Sequence, residues 1–218
     1  MSGSAEETAL LAAMEKLAPP GVRLGCRLIR KGDETLLLPE EARALPARQP
    51  AARRESGTAR ALARQLLALE GVDAVPIGRS PTGAPLWPAG FTGSLAHDDE
   101  MAAAAIARKT GISSLGIDVE PAEPLPGDIA AIVTMPGDVL TGVDARLATR
   151  ILFSAKEATY KAVHPLDGEI LGYEHISADL SQGEALAANG RRVRLCFCLS
   201  PRIVVLAVAA DSQPASMR

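Results

Sequence analysis

Three stretches of the chain carry a helical pattern. Residues 6–17 read as a short helix stopped by Pro19-Pro20. Residues 53–69 place Ala61, Leu62, Leu66 and Leu69 on one stripe, with Gly71 as the stop. Residues 144–164 form the longest such pattern, closed by Pro165. Alternation of apolar and polar positions predicts a strand over 22–30, and further strands are expected over 115–120, 177–180, 192–199 and 203–209. Asn189-Gly190 predicts a hairpin turn before the 192–199 strand. Three stretches resist this kind of reading. Residues 38–50 and 76–93 are broken by Pro and Gly, and the Ala-rich run within 94–108 has no period that separates strand from helix. A Pro/Gly-rich connector, 121–142, follows the strand at 115–120.

Composition narrows the function classes. The chain has 218 residues, 47% of them hydrophobic, enough for a buried core in one large domain or two small ones. Aromatics are only 3%, which argues against a base-stacking surface for nucleic acid. A formal charge of −3 gives no general attraction to polyanions, so phosphate binding has to be local. Cys26, Cys196 and Cys198 are too few for a disulfide framework, and Cys196 and Cys198 read as buried packing thiols. No apolar run is long enough to span a membrane, and Glu6 and Glu7 stand where a signal peptide would be basic. The expected location is the cytoplasm.

Four segments carry chemistry. In Gly116-Ile117-Asp118-Val119-Glu120, residues two apart on a strand share a side, so Asp118 and Glu120 project together and call for a cation. Paired hard oxygen ligands suit Mg²⁺; alone, the pattern also describes a solvated strand end. In Phe153-Ser154-Ala155-Lys156-Glu157-Ala158-Thr159-Tyr160-Lys161, Glu157 and Lys161 share a helix face. They form either a surface ion pair, or an acid beside a metal with a lysine to neutralise phosphate. Trp87-Pro88 and Gly93-Ser94-Leu95-Ala96-His97 fix an irregular backbone whose N–H groups, with His97, can face a phosphate. Arg53, Arg54 and Arg60 lie near a helix start, where positive charge calls for an anion.

Together, Trp-Pro-x-Gly…Gly-Ser-x-x-His, Gly-Ile-Asp-x-Glu and Phe-Ser-x-Lys-Glu-x-x-x-Lys resemble the 4′-phosphopantetheinyl transferase superfamily, in its siderophore-type branch, over roughly residues 53–161. The resemblance implies an α+β fold of two similar α/β lobes with pseudo-twofold symmetry, 1–115 and 116–218, and coenzyme A in the cleft between them. It implies an Mg²⁺-dependent transfer of 4′-phosphopantetheine from coenzyme A to a serine of an apo peptidyl, aryl or acyl carrier protein, by a cytoplasmic monomer serving siderophore, nonribosomal peptide or polyketide synthesis. By the same carry-over, Asp118, Glu120 and Glu157 hold the metal, and Glu157 and Lys161 are catalytic. Arg53, Arg60, Arg79, Ser94, His97 and Lys156 hold coenzyme A.

Two positions depart from the family pattern. Ala96 stands where relatives carry Ser or Thr, and Thr82 where they often carry a basic residue for the 3′-phosphate, with Arg79 earlier in the same loop. A coenzyme A-binding relative without transfer activity, or a pyrophosphohydrolase using the same acids, is the competing reading. The connector at 121–142, with Arg146 and Arg150 nearby, is the expected carrier-docking region.

Overall fold

The computed structural model describes residues 3–45, 49–73 and 75–209. Pro46, within the proline-broken stretch, lies outside them. Helix α1 (Gly3–Glu15) buries Leu10 and Met14 against strand β1 (Val22–Leu28). Helix α2 (Pro39–Ala44) is a short turn of helix inside that proline-broken stretch. Helix α3 (Pro50–Ala68) follows, then a two-strand arm, β2 (Gly78–Arg79) and β3 (Pro85–Leu86). The Ala-rich run folds as a hairpin of β4 (Phe91–His97) and β5 (Met101–Arg108). Strand β6 (Leu115–Pro121) leads through helix α4 (Gly127–Val133) to helix α5 (Ala148–Asp167). The chain ends in β7 (Ile176–Asp179), β8 (Glu184–Ala187), β9 (Arg192–Cys198) and β10 (Arg202–Ala209).

The fold is α+β. One antiparallel sheet has the order β1-β5-β4 and the other the order β6-β10-β9-β8-β7. Helix α3 covers one face of β5, where Leu62 and Leu66 meet Ala104 and Ile106. The opposite face of β5, with Met101, Ala103 and Ala105, meets Ile117, Val119, Val204 and Leu206 of the second sheet, with α1 closing the same layer. Strand β5 is thus packed on both faces, and small Ala side chains suit that crowding. It also explains why no alternation marks it in sequence. On its other face the second sheet packs α5, where Ile151, Leu152, Ala155 and Ala158 meet Ile203 and Val205.

Several sequence expectations are corrected. Leu69 caps α3 with 68% of its surface exposed, outside the buried stripe. Helix α5 starts at Ala148 rather than Asp144, and Pro165 lies inside it. A proline in the last turn costs only one backbone bond. The helix ends at Gly168, whose left-handed backbone (φ 71°) lets its N–H reach His164 O at 2.8 Å. Strand β8 and the arm β2–β3 are added. Cys196 and Cys198 are half-buried rather than buried, and all three thiols are free. Burial and then Glu7 push the Cys26 thiol up to about 12, consistent with a packing role. Among the described residues, no helix is long and apolar enough to cross a membrane.

Helix α5 crosses β6 at Gly116, where a β-carbon would overlap the Ala158 carbonyl and stand 2.7 Å from Ala162 N. Both atoms are backbone and cannot swing aside. Gly116→Ala therefore forces α5 off the sheet, and we expect a loss of about 2–4 kcal/mol in urea unfolding. A loss below half a kilocalorie would mean that the helix shifts freely here.

Candidate functional site

Strand β6 turns Leu115, Ile117 and Val119 into the layer between the sheets, which leaves Asp118 and Glu120 on the face covered by α5. Asp118 is 6% exposed. Its Oδ1 accepts a bond from Lys161 Nζ at 2.7 Å, and Lys161 also donates to Ile117 O at 3.2 Å. The second carboxylate oxygen, Oδ2, is buried without a partner. Glu120 accepts from Arg150 Nη1 at 2.6 Å. Burial, and next the charge of Asp118, push the Glu120 carboxyl above its ordinary value, with Arg150 opposing.

Glu157 reaches the same region from α5 and accepts a hydrogen bond from Tyr173 Oη at 2.9 Å. The Tyr173 phenol is pushed well up by burial, then by Glu157, and further by Asp118 and Glu120. One phenol therefore feels all three acids. They do not stand as a ready cage: among the described residues no three His, Cys, Asp or Glu side chains are arranged to hold a metal. Each acid has a protein partner, and among their described oxygens the buried one without a hydrogen bond is Asp118 Oδ2. A divalent cation fits that strand pair. It would satisfy a buried oxygen that no protein donor reaches, and it would relieve the Asp118 repulsion that adds to burial in raising Glu120.

A cavity of about 280 Å³ adjoins Lys161 and is lined by Ser94, Trp87, Arg79, Thr82 and His164. A second, of about 250 Å³, is lined by Arg60, Ser56, Glu55 and His97 and shares Arg79, Gly83, Pro85 and Leu95 with the first. The two form one groove with Arg79 at the join. Burial pulls the Arg60 guanidinium below its ordinary value, against Glu41, and its described partners are the Ile77 and Ser56 carbonyls. A buried guanidinium bonded only to neutral oxygens retains affinity for an anion. His97 stands 3.6 Å from Glu55 through Nδ1. Burial pulls its ring down, Glu55 opposes, and Lys161 and Asp118 both act on it, so His97 belongs electrostatically to the acid cluster.

Residues 40–107 match the family model for the 4′-phosphopantetheinyl transferase N-terminal domain. The chain is 39% identical over 189 residues to the 4′-phosphopantetheinyl transferase Npt of Nocardia iowensis, covering 81% of this chain and 82% of that one. It belongs to the 4′-phosphopantetheinyl transferase family. Svp of Streptomyces mobaraensis is 40% identical over 64% of this chain and 59% of its own length. PptT of Mycobacterium tuberculosis is 43% identical over 63% and 62%. Both are named as 4′-phosphopantetheinyl transferases too.

Not every residue expected at the site of this transferase lies there. Lys156 is wholly buried on α5 and lines neither cavity; its ammonium meets Asp138 at 2.7 Å and donates to Val133 O and Tyr173 O. Three donors meet three acceptors, so the expectation that Lys156 holds coenzyme A is corrected: it ties the connector to the helix. Arg53 is half-buried on α3 and lines neither cavity. Arg150, expected to steer a carrier, instead clamps Glu120 and bonds the Glu123 and Pro124 carbonyls. Glu55 lies within the arginine-rich start of α3, whereas Tyr173 and His164 carry no local sequence signal and reach the site only through tertiary packing.

Proposed function

We propose that this transferase moves 4′-phosphopantetheine from coenzyme A to a serine hydroxyl of an apo carrier protein and releases 3′,5′-ADP, with Mg²⁺ held by Asp118 and Glu120 and supported by Glu157. The observation that carries the proposal is the bare, buried Oδ2 of Asp118 beside Glu120, next to a groove lined by Lys161, Ser94 and Arg79. When bound, Mg²⁺ supplies neutralisation of diphosphate charge and polarisation of the P–O bond.

The chain's own groups do the rest. Arg60 and Arg79 hold the nucleotide end of coenzyme A in the groove, while Ser94 and His97 face its phosphates. Glu157, oriented by Tyr173, takes the proton of the carrier serine as the serine oxygen bonds to phosphorus. The bond from phosphorus to the 3′,5′-ADP oxygen breaks, and Lys161, already positioned by Asp118, meets the charge on the leaving phosphate. In this reading two similar α/β lobes related by a pseudo-twofold, 1–115 and 116–218, enclose coenzyme A; the groove takes side chains from both sides of that boundary. The protein acts as a cytoplasmic monomer of the siderophore-type branch. The carrier docks along 121–142, where Ile129 and Ile132 of α4 are exposed.

The test is to mix protein, Mg²⁺, coenzyme A and an apo carrier and to weigh the carrier. A gain of one phosphopantetheine, abolished by EDTA and restored by added Mg²⁺, is expected. Cleavage of coenzyme A with an unmodified carrier would instead mark a pyrophosphohydrolase, and binding without turnover a degenerate relative.

A further inference from the structure

The arm β2–β3 ends in a loop, residues 80–84, that reaches across to α5. Within it, Ser80 and Ala84 exchange backbone and side-chain bonds: Ser80 N donates to Ala84 O at 2.8 Å, and Ala84 N donates to Ser80 Oγ at 3.0 Å. Thr82 Oγ1 lies 2.9 Å from Ser80 Oγ and 3.0 Å from His164 Nε2. The direction of this chain follows from its far end. His164 Nδ1 is 2.9 Å from Glu169 O, a carbonyl that can only accept, so Nδ1 carries the ring proton. In the neutral imidazole Nε2 is then the acceptor. The Thr82 hydroxyl donates to it, and the Ser80 hydroxyl donates to Thr82. Each group in the relay is used once, from the Ala84 amide to the imidazole.

We propose that Thr82 and His164 form a latch that holds the 79–85 loop across the groove, making both of them positioning residues for Arg79 and hence for coenzyme A. The placement on coenzyme A rests on the proposed function; the latch itself does not. His164 is buried and fixed at its other nitrogen, so it is the rigid post, while Thr82 is exposed at the loop tip. Both line the cavity with Lys161, and Arg79, at the root of the same loop, donates to Gly83 O at 3.2 Å and lines both halves of the groove. Releasing the tip therefore frees the guanidinium at the join. An uncharged hydroxyl at position 82 can make this contact. A lysine or arginine there would have to turn its charge elsewhere.

Thr82→Val removes the hydroxyl at an exposed site and keeps the shape, and Thr82→Ser keeps the donor. Trp87 lines the same cavity and is the sole tryptophan, so its emission reports on the groove without any ligand. In the ligand-free protein carrying Thr82→Val, the amides of Ser80, Gly83 and Ala84 should exchange about fivefold faster, and acrylamide should quench Trp87 more strongly. The KM for coenzyme A should rise about fivefold with kcat within about twofold, and Thr82→Ser should restore all three. Unchanged exchange and quenching in Thr82→Val would overturn the latch, and a loosened loop with an unchanged KM would overturn its positioning role. If the parent protein transfers nothing from coenzyme A, the proposed function fails, while exchange and quenching still decide the latch.

Discussion

Asp118→Asn should lower carrier modification by about 10²–10³-fold at saturating coenzyme A while the protein stays folded. The substitution keeps the shape of the side chain and still offers one oxygen to Lys161. It removes the charge that holds the ammonium at 2.7 Å, and it replaces the bare Oδ2 with either an amide nitrogen or a neutral oxygen. Neither attracts a divalent cation as a carboxylate does. A Mn²⁺ titration followed by electron paramagnetic resonance should show the loss of affinity directly, without reference to turnover. Activity within tenfold of the parent, with metal binding intact, would remove Asp118 from the centre of the mechanism.

Lys156→Met should cost about 3–5 kcal/mol in urea unfolding, because it strands the wholly buried carboxylate of Asp138. That carboxylate also accepts the Met135 N–H at 2.8 Å and the Ala178 N–H at 3.0 Å, so it cannot move out to water without tearing both the connector and β7. Adding Asp138→Asn to Lys156→Met should recover a large part of the loss, since the stranded charge is gone. At a temperature where the single variant remains folded, its KM for coenzyme A should match the parent. A selective rise in KM without loss of stability would instead return Lys156 to the phosphate site.

The long helices were legible because their periodicity is strong and each packs against a sheet on one side. The hairpin β4–β5 was not, because a strand buried on both faces shows no alternation, and Ala is equally at home in a helix. Pro165 misled in another way: near a helix end it removes one bond, and Gly168, three residues on, decides the stop. The shared side of Asp118 and Glu120 is legible because a strand puts alternate residues on one face. Lys156 was misplaced because neighbours on a helix point about 100° apart. Adjacency to Glu157 in sequence turned it away from the groove, whereas Lys161, one turn on, faces in. The Thr82–His164 bond joins residues 82 positions apart, and the Tyr173–Glu157 bond depends on a connector with no periodic signal.

The apolar layer between the two sheets has a practical corollary. The span matched by the family model, 40–107, includes α3 and the β4–β5 hairpin but omits α1, β1 and β6. A fragment cut at those limits would bare Met101, Ala103 and Ala105 to solvent and leave β5 with an unpaired edge. The unit matched by the family model is thus smaller than the unit able to fold alone, and an expression fragment meant to isolate the first half would need the second half's strands to stay out of the inclusion body.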